Sequence, residues 1–197
     1  MALRDYVVEL LGNRSNLRLL KTLLRYRGKV FTVRELARTA GMSHPEASSA
    51  LRDMEKRGIV TLQPVGKAYQ VGLSEESYIL KSIVEPMFKA EENTLKTFIS
   101  AVRAYFDDRR ILSVAIFGSV ARGTEKASSD VDILVVTDDT EFANQCVAKA
   151  NIQMVARFGF ALSPLIMSKA RFIRERNTEL EKSILESYLM VSGLDLR

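Results

Sequence analysis

The chain has 197 residues, of which 47% are apolar and 27% charged, with a mean hydropathy of −0.02. That composition excludes wholesale disorder, and no apolar run approaches the ~20 residues of a membrane-spanning helix. A single cysteine, Cys146, and a single histidine, His44, leave no internal disulfide and no zinc site rich in those ligands, so any cation would be held by oxygens.

The scarcity of cysteine suits the cytoplasm, and a start that mixes acids with apolar residues predicts no secretory signal. The net charge of +5 is unevenly placed: residues 1–80 hold 13 Lys/Arg and 8 Asp/Glu, whereas residues 81–197 hold 16 of each. Such asymmetry points to one part that meets a polyanion and another that does something else, with a solvated basic face as the plain alternative.

In chain order, the first predicted helix runs from Asn16 to Tyr26 on an apolar face of Leu17, Leu20 and Leu24, and Gly28 stops it. The second begins with a capping box, Thr32-Val33-Arg34-Glu35, continues on Val33, Leu36, Ala37 and Ala40, and ends at Gly41. The third begins with another box, Ser43-His44-Pro45-Glu46, repeats Ala47, Ala50, Leu51 and Met54, and ends at Gly58. Ile59–Leu62 and Tyr69–Val71 then read as a hairpin around Gln63–Ala68.

The order helix, helix, helix, hairpin over residues 13–73 resembles the winged-helix transcriptional regulators. The resemblance implies double-stranded DNA as partner, and a homodimer that reads paired half-sites. With Ala47, Leu51 and Met54 turned to the core, His44, Pro45, Ser48, Ser49, Arg52 and Lys56 face out, small and basic enough to enter a major groove. Arg34 and Arg38 on the preceding helix and Lys67 at the hairpin tip are candidates for phosphate contacts. A domain that binds protein or only dimerises is the alternative, and His44 reads equally well as a surface residue without a role.

From Ser77 to Phe106 a helical period continues, with Pro86 expected to break or kink the run or to open a second helix. The expected division is a DNA-binding domain at 1–75, a helical connector at 76–108 and a second domain at 109–197.

Within the second domain, Ile111–Phe117 is a nearly continuous apolar run, the pattern of a buried strand, and it ends in Gly118-Ser119. Glycine permits a sharp turn and close approach of a ligand; the serine hydroxyl and the N–H groups after it suit phosphate oxygens. A loop leads to Asp130-Val131-Asp132 and a second apolar strand, Ile133–Val136. Residues i and i+2 of a strand share a face, so two carboxylates stand side by side, and a hard cation between them relieves their repulsion. Glu141–Phe158 reads as a helix with Thr140 as cap and Gly159 as stop, Phe160–Met167 as a strand, and Lys169–Val191 as helical. Cys146 falls on the apolar face of its helix and reads as core rather than nucleophile.

Gly118-Ser119, Ala121-Arg122-Gly123 and Ser129-Asp130-Val131-Asp132, each half attached to a strong strand, resemble the nucleotidyltransferase superfamily of DNA polymerase beta, and most closely its minimal members. The resemblance implies that Gly118 and Ser119 contact nucleotide phosphates, that Asp130 and Asp132 hold catalytic Mg²⁺ or Mn²⁺, and that Arg122 organises the loop or touches phosphate. It implies a nucleoside triphosphate as substrate or ligand.

Active members carry a third acid on the following strand. Here that strand, Ala161–Met167, has none, and Ser163 is its nearest polar group. The expected fold is α/β (α+β): a winged helix-turn-helix, a helical connector and a small mixed-sheet nucleotidyltransferase-like domain. The expected function is a DNA-binding regulator that binds Mg-nucleotide and transfers a nucleotidyl group if the incomplete acid set allows. Two alternatives stand beside it: an antitoxin-like enzyme that modifies a helical, toxin-like protein partner, and a non-catalytic dimeric architectural binder.

Overall fold

Asn13 decides where the first long helix starts. Its side chain accepts the Ser15 N–H at 2.9 Å and caps helix α2 (Arg14–Arg25), two residues before the predicted start. A short helix α1 (Tyr6–Leu11), absent from the sequence reading, precedes it and buries Leu10. The computed structural model of the chain describes residues 6–126, 129–175 and 178–196.

Strand β1 (Phe31–Thr32) leads into α3 (Val33–Thr39), and both halves of the Thr32–Glu35 capping box are made. Helix α4 (His44–Lys56) is capped by Ser43, but the second half of its expected box is missing. The Glu46 carboxylate instead accepts from the Ser15 hydroxyl at 2.5 Å, tying the first turns of α2 and α4 together.

Strands β2 (Val60–Val65) and β3 (Ala68–Leu73) form the hairpin in the register Val65↔Ala68 to Val60↔Leu73. The ladder therefore runs through Gln63-Pro64-Val65, which the sequence reads as loop. The sheet order β1-β3-β2 leaves β2 at an edge, where proline's missing N–H costs little. Only Gly66 and Lys67 remain as the turn.

The expected helical connector has a more particular form. A π-helical turn at Leu80–Val84 runs without a break into α5 (Glu85–Arg103), so Pro86 neither breaks the run nor opens a separate helix, and the wider turn stands immediately ahead of the residue that lacks an N–H. The chain divides into two units, 1–92 and 93–197. Leu80 and Val84 join the first core, with Leu19, Leu20, Leu36, Leu51 and Met54, whereas Phe98, Val102 and Phe106 join the second.

The second unit is built on a sheet of order β6-β5-β4-β7. Strand β4 (Ile111–Ile116) pairs antiparallel with β5 (Val131–Thr137) and β7 (Leu189–Gly193), and β5 pairs parallel with β6 (Leu162–Met167). Between β4 and β5 lies a five-residue helix α6 (Gly118–Arg122), and between β5 and β6 the long α7 (Thr140–Phe158).

Strand alternation sorts the sheet into two faces. Ile116, Ile133 and Val135 pack with Ala143, Ala150 and Met154 of α7. Ala115, Leu134, Val136 and Met167 pack with Phe172 of α8 (Lys169–Arg174) and Ile184 of α9 (Glu179–Glu186). Asp139, not Thr140, caps α7, accepting the Phe142 N–H at 3.0 Å. The expected long C-terminal helix is α8, α9 and β7, the helices capped by Ser168 and Thr178. No helix among the described residues is long and apolar enough to cross a membrane.

Candidate functional site

Strand β4 runs directly into the site. After Phe117, in extended conformation, Gly118 and Ser119 open α6, whose start has no side-chain cap. The leading N–H groups of a helix have no partner within it, so they remain available as donors at this turn. Gly118 sits at φ 72°, and a Cβ there would run into Oδ2 of Asp132 and stand 3.1 Å from its Cγ. Glycine is required here on both counts. The sequence assigns Gly118 to ligand approach; the space against it is taken by the Asp132 side chain. The Phe117 N–H also donates to the Asp132 carbonyl at 3.0 Å, so backbone and side chain both bring the second acid to the glycine-serine turn.

Asp132 lies within β5 and is half-buried, on the alternation that places Leu134 and Val136 on the sheet face opposite α7. Asp130 is exposed, just ahead of the strand. Among the described residues, no ion pair or side-chain hydrogen bond engages either carboxylate. The parallel register places Ser163 of β6 directly beside Asp132. Ser163 is exposed and alternates with Leu165 and Met167, so it shares the Asp132 face. Among the described residues no group of three His, Cys, Asp or Glu side chains could hold a metal ion. The donor set is two uncommitted hard carboxylates with a neighbouring hydroxyl, beside a turn of free N–H groups. It fits an oxygen-preferring divalent cation that brings further oxygens of its own, as a phosphate chain does.

Arg122 is exposed at the last turn of α6, and Gly123 at φ 66° then reverses the chain so that the Thr124 N–H donates to the Ser119 carbonyl at 2.9 Å. Ser129 accepts from the Lys126 N–H at 3.1 Å.

Away from this turn, before the start of β4, Arg110 holds Asp108 well below the usual carboxylate range, first through its side-chain bonds to both oxygens. The Arg110 guanidinium also stacks 3.3 Å over the Phe142 ring. That pair is architecture. Cys146 is buried, and burial pushes its thiol up, which suits core rather than nucleophile.

In the first unit, His44, Pro45, Ser48, Ser49, Arg52 and Lys56 line one open groove of about 450 Å³ along α4. Asp53 lines it as well, an acid that the sequence reading did not include. Arg34 and Arg38 are exposed on α3, and Lys67 is exposed at the hairpin turn; these three lie outside the groove on other elements of the same unit.

The nucleotidyltransferase-domain family model matches residues 95–189, and the MarR-family model matches residues 13–68. Two proteins of Methanocaldococcus jannaschii, provisionally named protein adenylyltransferases, are similar to the chain. One is 29% identical, over 49% of this chain and 92% of its own length. The other is 26% identical, over 54% and 75%. Among solved structures, the antimony-specific transcriptional repressor AntR is similar at 23% identity and a TM-score of 0.40, over 47% of this chain and 81% of its own. The chain thus joins a MarR-family winged helix-turn-helix domain to a nucleotidyltransferase domain.

Proposed function

We propose that the protein is a DNA-binding regulator whose second domain binds a nucleoside triphosphate with Mg²⁺ or Mn²⁺ and transfers its nucleotidyl group to a protein hydroxyl. The observation that carries the chemical half is the packing of Asp132 against Gly118, with neither Asp130 nor Asp132 engaged by a partner among the described residues. The name carried by the two archaeal relatives supports ATP as the triphosphate and a protein as the acceptor.

The roles follow from position. The N–H groups at the start of α6 and the Ser119 hydroxyl hold phosphate oxygens, and Arg122 adds positive charge at the end of the same helix. Asp130 and Asp132 would hold the cation. The cation, when bound, withdraws charge from the phosphates and eases departure of pyrophosphate. Gly118 keeps the turn free of a side chain that would displace Asp132. In the first domain, Arg52 and Lys56 supply base-edge and phosphate contacts, Arg34, Arg38 and Lys67 supply phosphate contacts, and two copies read paired half-sites.

Wild-type protein with labelled ATP, Mg²⁺ and a cell extract as the source of acceptor protein should release pyrophosphate as label passes to a protein hydroxyl, and Asp130→Asn or Asp132→Asn should lower that rate by about 100-fold or more. Calorimetry that finds no heat with any triphosphate would remove this half of the reading. The serine beside Asp132 favours one second reading, a nucleotide sensor that binds without transfer. Triphosphate binding without pyrophosphate release identifies it. On mixed-sequence duplex DNA, Arg52→Ala and Lys56→Ala should each weaken binding, and a wild-type protein that shifts no DNA at low salt would remove the other half.

A further inference from the structure

Helix α2 has a second face that the core does not use. Arg14, Arg18, Lys21 and Arg25 recur at i, i+4, i+7 and i+11, and all four are exposed. The buried residues of the helix, Asn16, Leu19, Leu20 and Leu23, take the opposite side. At 1.5 Å per residue the four cations form one row about 17 Å long. Lys21 is paired with Glu91 at 2.8 Å. Among the described residues, no carboxylate pairs with Arg14, Arg18 or Arg25.

Two observations connect this row to the α4 groove. Ser15, next to Arg14, donates to Glu46 in the first turn of α4, so the row begins beside the helix that carries His44, Ser48 and Arg52. Farther along, Arg18, Lys21 and Arg25 line a groove of about 230 Å³ with Thr39 and Ala40, directly after Arg38 of α3. Three cations and no acid line it, whereas the α4 groove contains Asp53.

We propose that this face of α2 holds the sugar-phosphate backbone of the bound DNA duplex beyond the base pairs that α4 reads. The proposal rests on the DNA reading of the previous subsection. Three of the four cations are arginine, whose planar fork pairs bidentately with phosphate. Contacts to phosphate carry no sequence information, so the contribution of the row is blind to sequence and depends on duplex length.

The test uses full-length protein and two mixed-sequence duplexes, one of about 12 base pairs and one of about 40, with affinity measured across a salt series. For the double variant Arg18→Ala/Arg25→Ala, the slope of log affinity against log salt should become shallower by about 1.8 on the long duplex, the release of two phosphate contacts. On the short duplex the slope should stay at the wild-type value. The single variant Arg14→Gln provides an independent check, with the slope on the long duplex shallower by about 0.9, and matching thermal melts confirm that both variants fold.

An unchanged slope on the long duplex, with Arg52→Ala still weakening both duplexes, overturns the proposal and leaves the DNA reading intact; an acidic protein would then be the partner of this face. An equal loss on both duplexes also overturns it, because the contacts would lie inside the α4 footprint. A wild-type protein that binds neither duplex overturns both.

Discussion

Position 118 shows how one residue couples two sequence motifs. The glycine-serine pair and the Asp-x-Asp pair are each legible by spacing alone, because a strand end and an i, i+2 alternation are local facts. That the Asp132 carboxylate fills the space where a Cβ would stand is a tertiary fact, and no local pattern carries it. Glu181 makes the same point in reverse. It falls three residues after the Thr178 cap, where a carboxylate ordinarily serves the helix start, yet it is only 1% exposed and, among the described residues, neither of its oxygens has a hydrogen-bond partner. Burial raises its pKa above the ordinary 4.5, Glu175 raises it further, and Arg171 opposes them. A folded-state value above the unfolded one gives stability that is full below pH 4.5 and is lost as pH rises through the folded value. Glu181→Gln should therefore stabilise the protein by about 1 kcal/mol near neutral pH, where the buried charge is costly. The gain should shrink towards acid pH, as thermal melts of variant and wild type across a pH series would show. A gain constant across pH would mean that ionisation of Glu181 is not its source.

At the scale of elements, legibility depended on how local the competition was. The Thr32–Glu35 box forms as written because both partners lie in one turn. The Ser43–Glu46 box forms by half because Ser15, 31 residues away, takes the carboxylate. The C-terminal region misleads for a related reason. Ile184, Leu185, Tyr188 and Val191 keep a helical period, but Ser187 is extended at φ −149°, and the chain leaves α9 to add β7 at the open edge of β4. An edge waiting for a partner is a property of the sheet, invisible along the segment that fills it. Strand β6 was legible as a strand, and its lack of an acid was legible too; its register was not. Because that register sets Ser163 beside Asp132, Ser163→Asp should create a third carboxylate on the same face. Mn²⁺ titrated without nucleotide should then bind at least about tenfold tighter than to wild type, read by electron paramagnetic resonance. Equal Mn²⁺ affinity would show that residue 163 does not reach the ion.

For the whole molecule, the uneven charge and the two cores describe one division of labour. The basic excess lies in residues 1–80, the acid pair lies in a stretch with no net charge, and each unit has its own core. Helix α5 takes part in both, with Phe88 against the first core and Phe98 and Val102 in the second. Separate cores predict separable functions: Asp132→Asn should keep wild-type DNA affinity in the absence of nucleotide, and Arg52→Ala should keep wild-type nucleotide affinity in the absence of DNA. A regulator needs more than two functions on one chain; it needs a coupling free energy between them. If Mg-ATP changes the affinity for a duplex by some factor, the same duplex must change the affinity for Mg-ATP by that factor, because the two binding steps close a thermodynamic cycle. Measuring both arms with a non-hydrolysable ATP analogue therefore tests regulation with turnover excluded. Couplings of this kind are about 1–3 kcal/mol, or roughly 5- to 150-fold. The factor should be equal in both arms for wild type and reduced to unity in Asp132→Asn at analogue concentrations that saturate wild type. A factor of unity in wild type would make the winged helix a means of placing the transferase on DNA rather than its output.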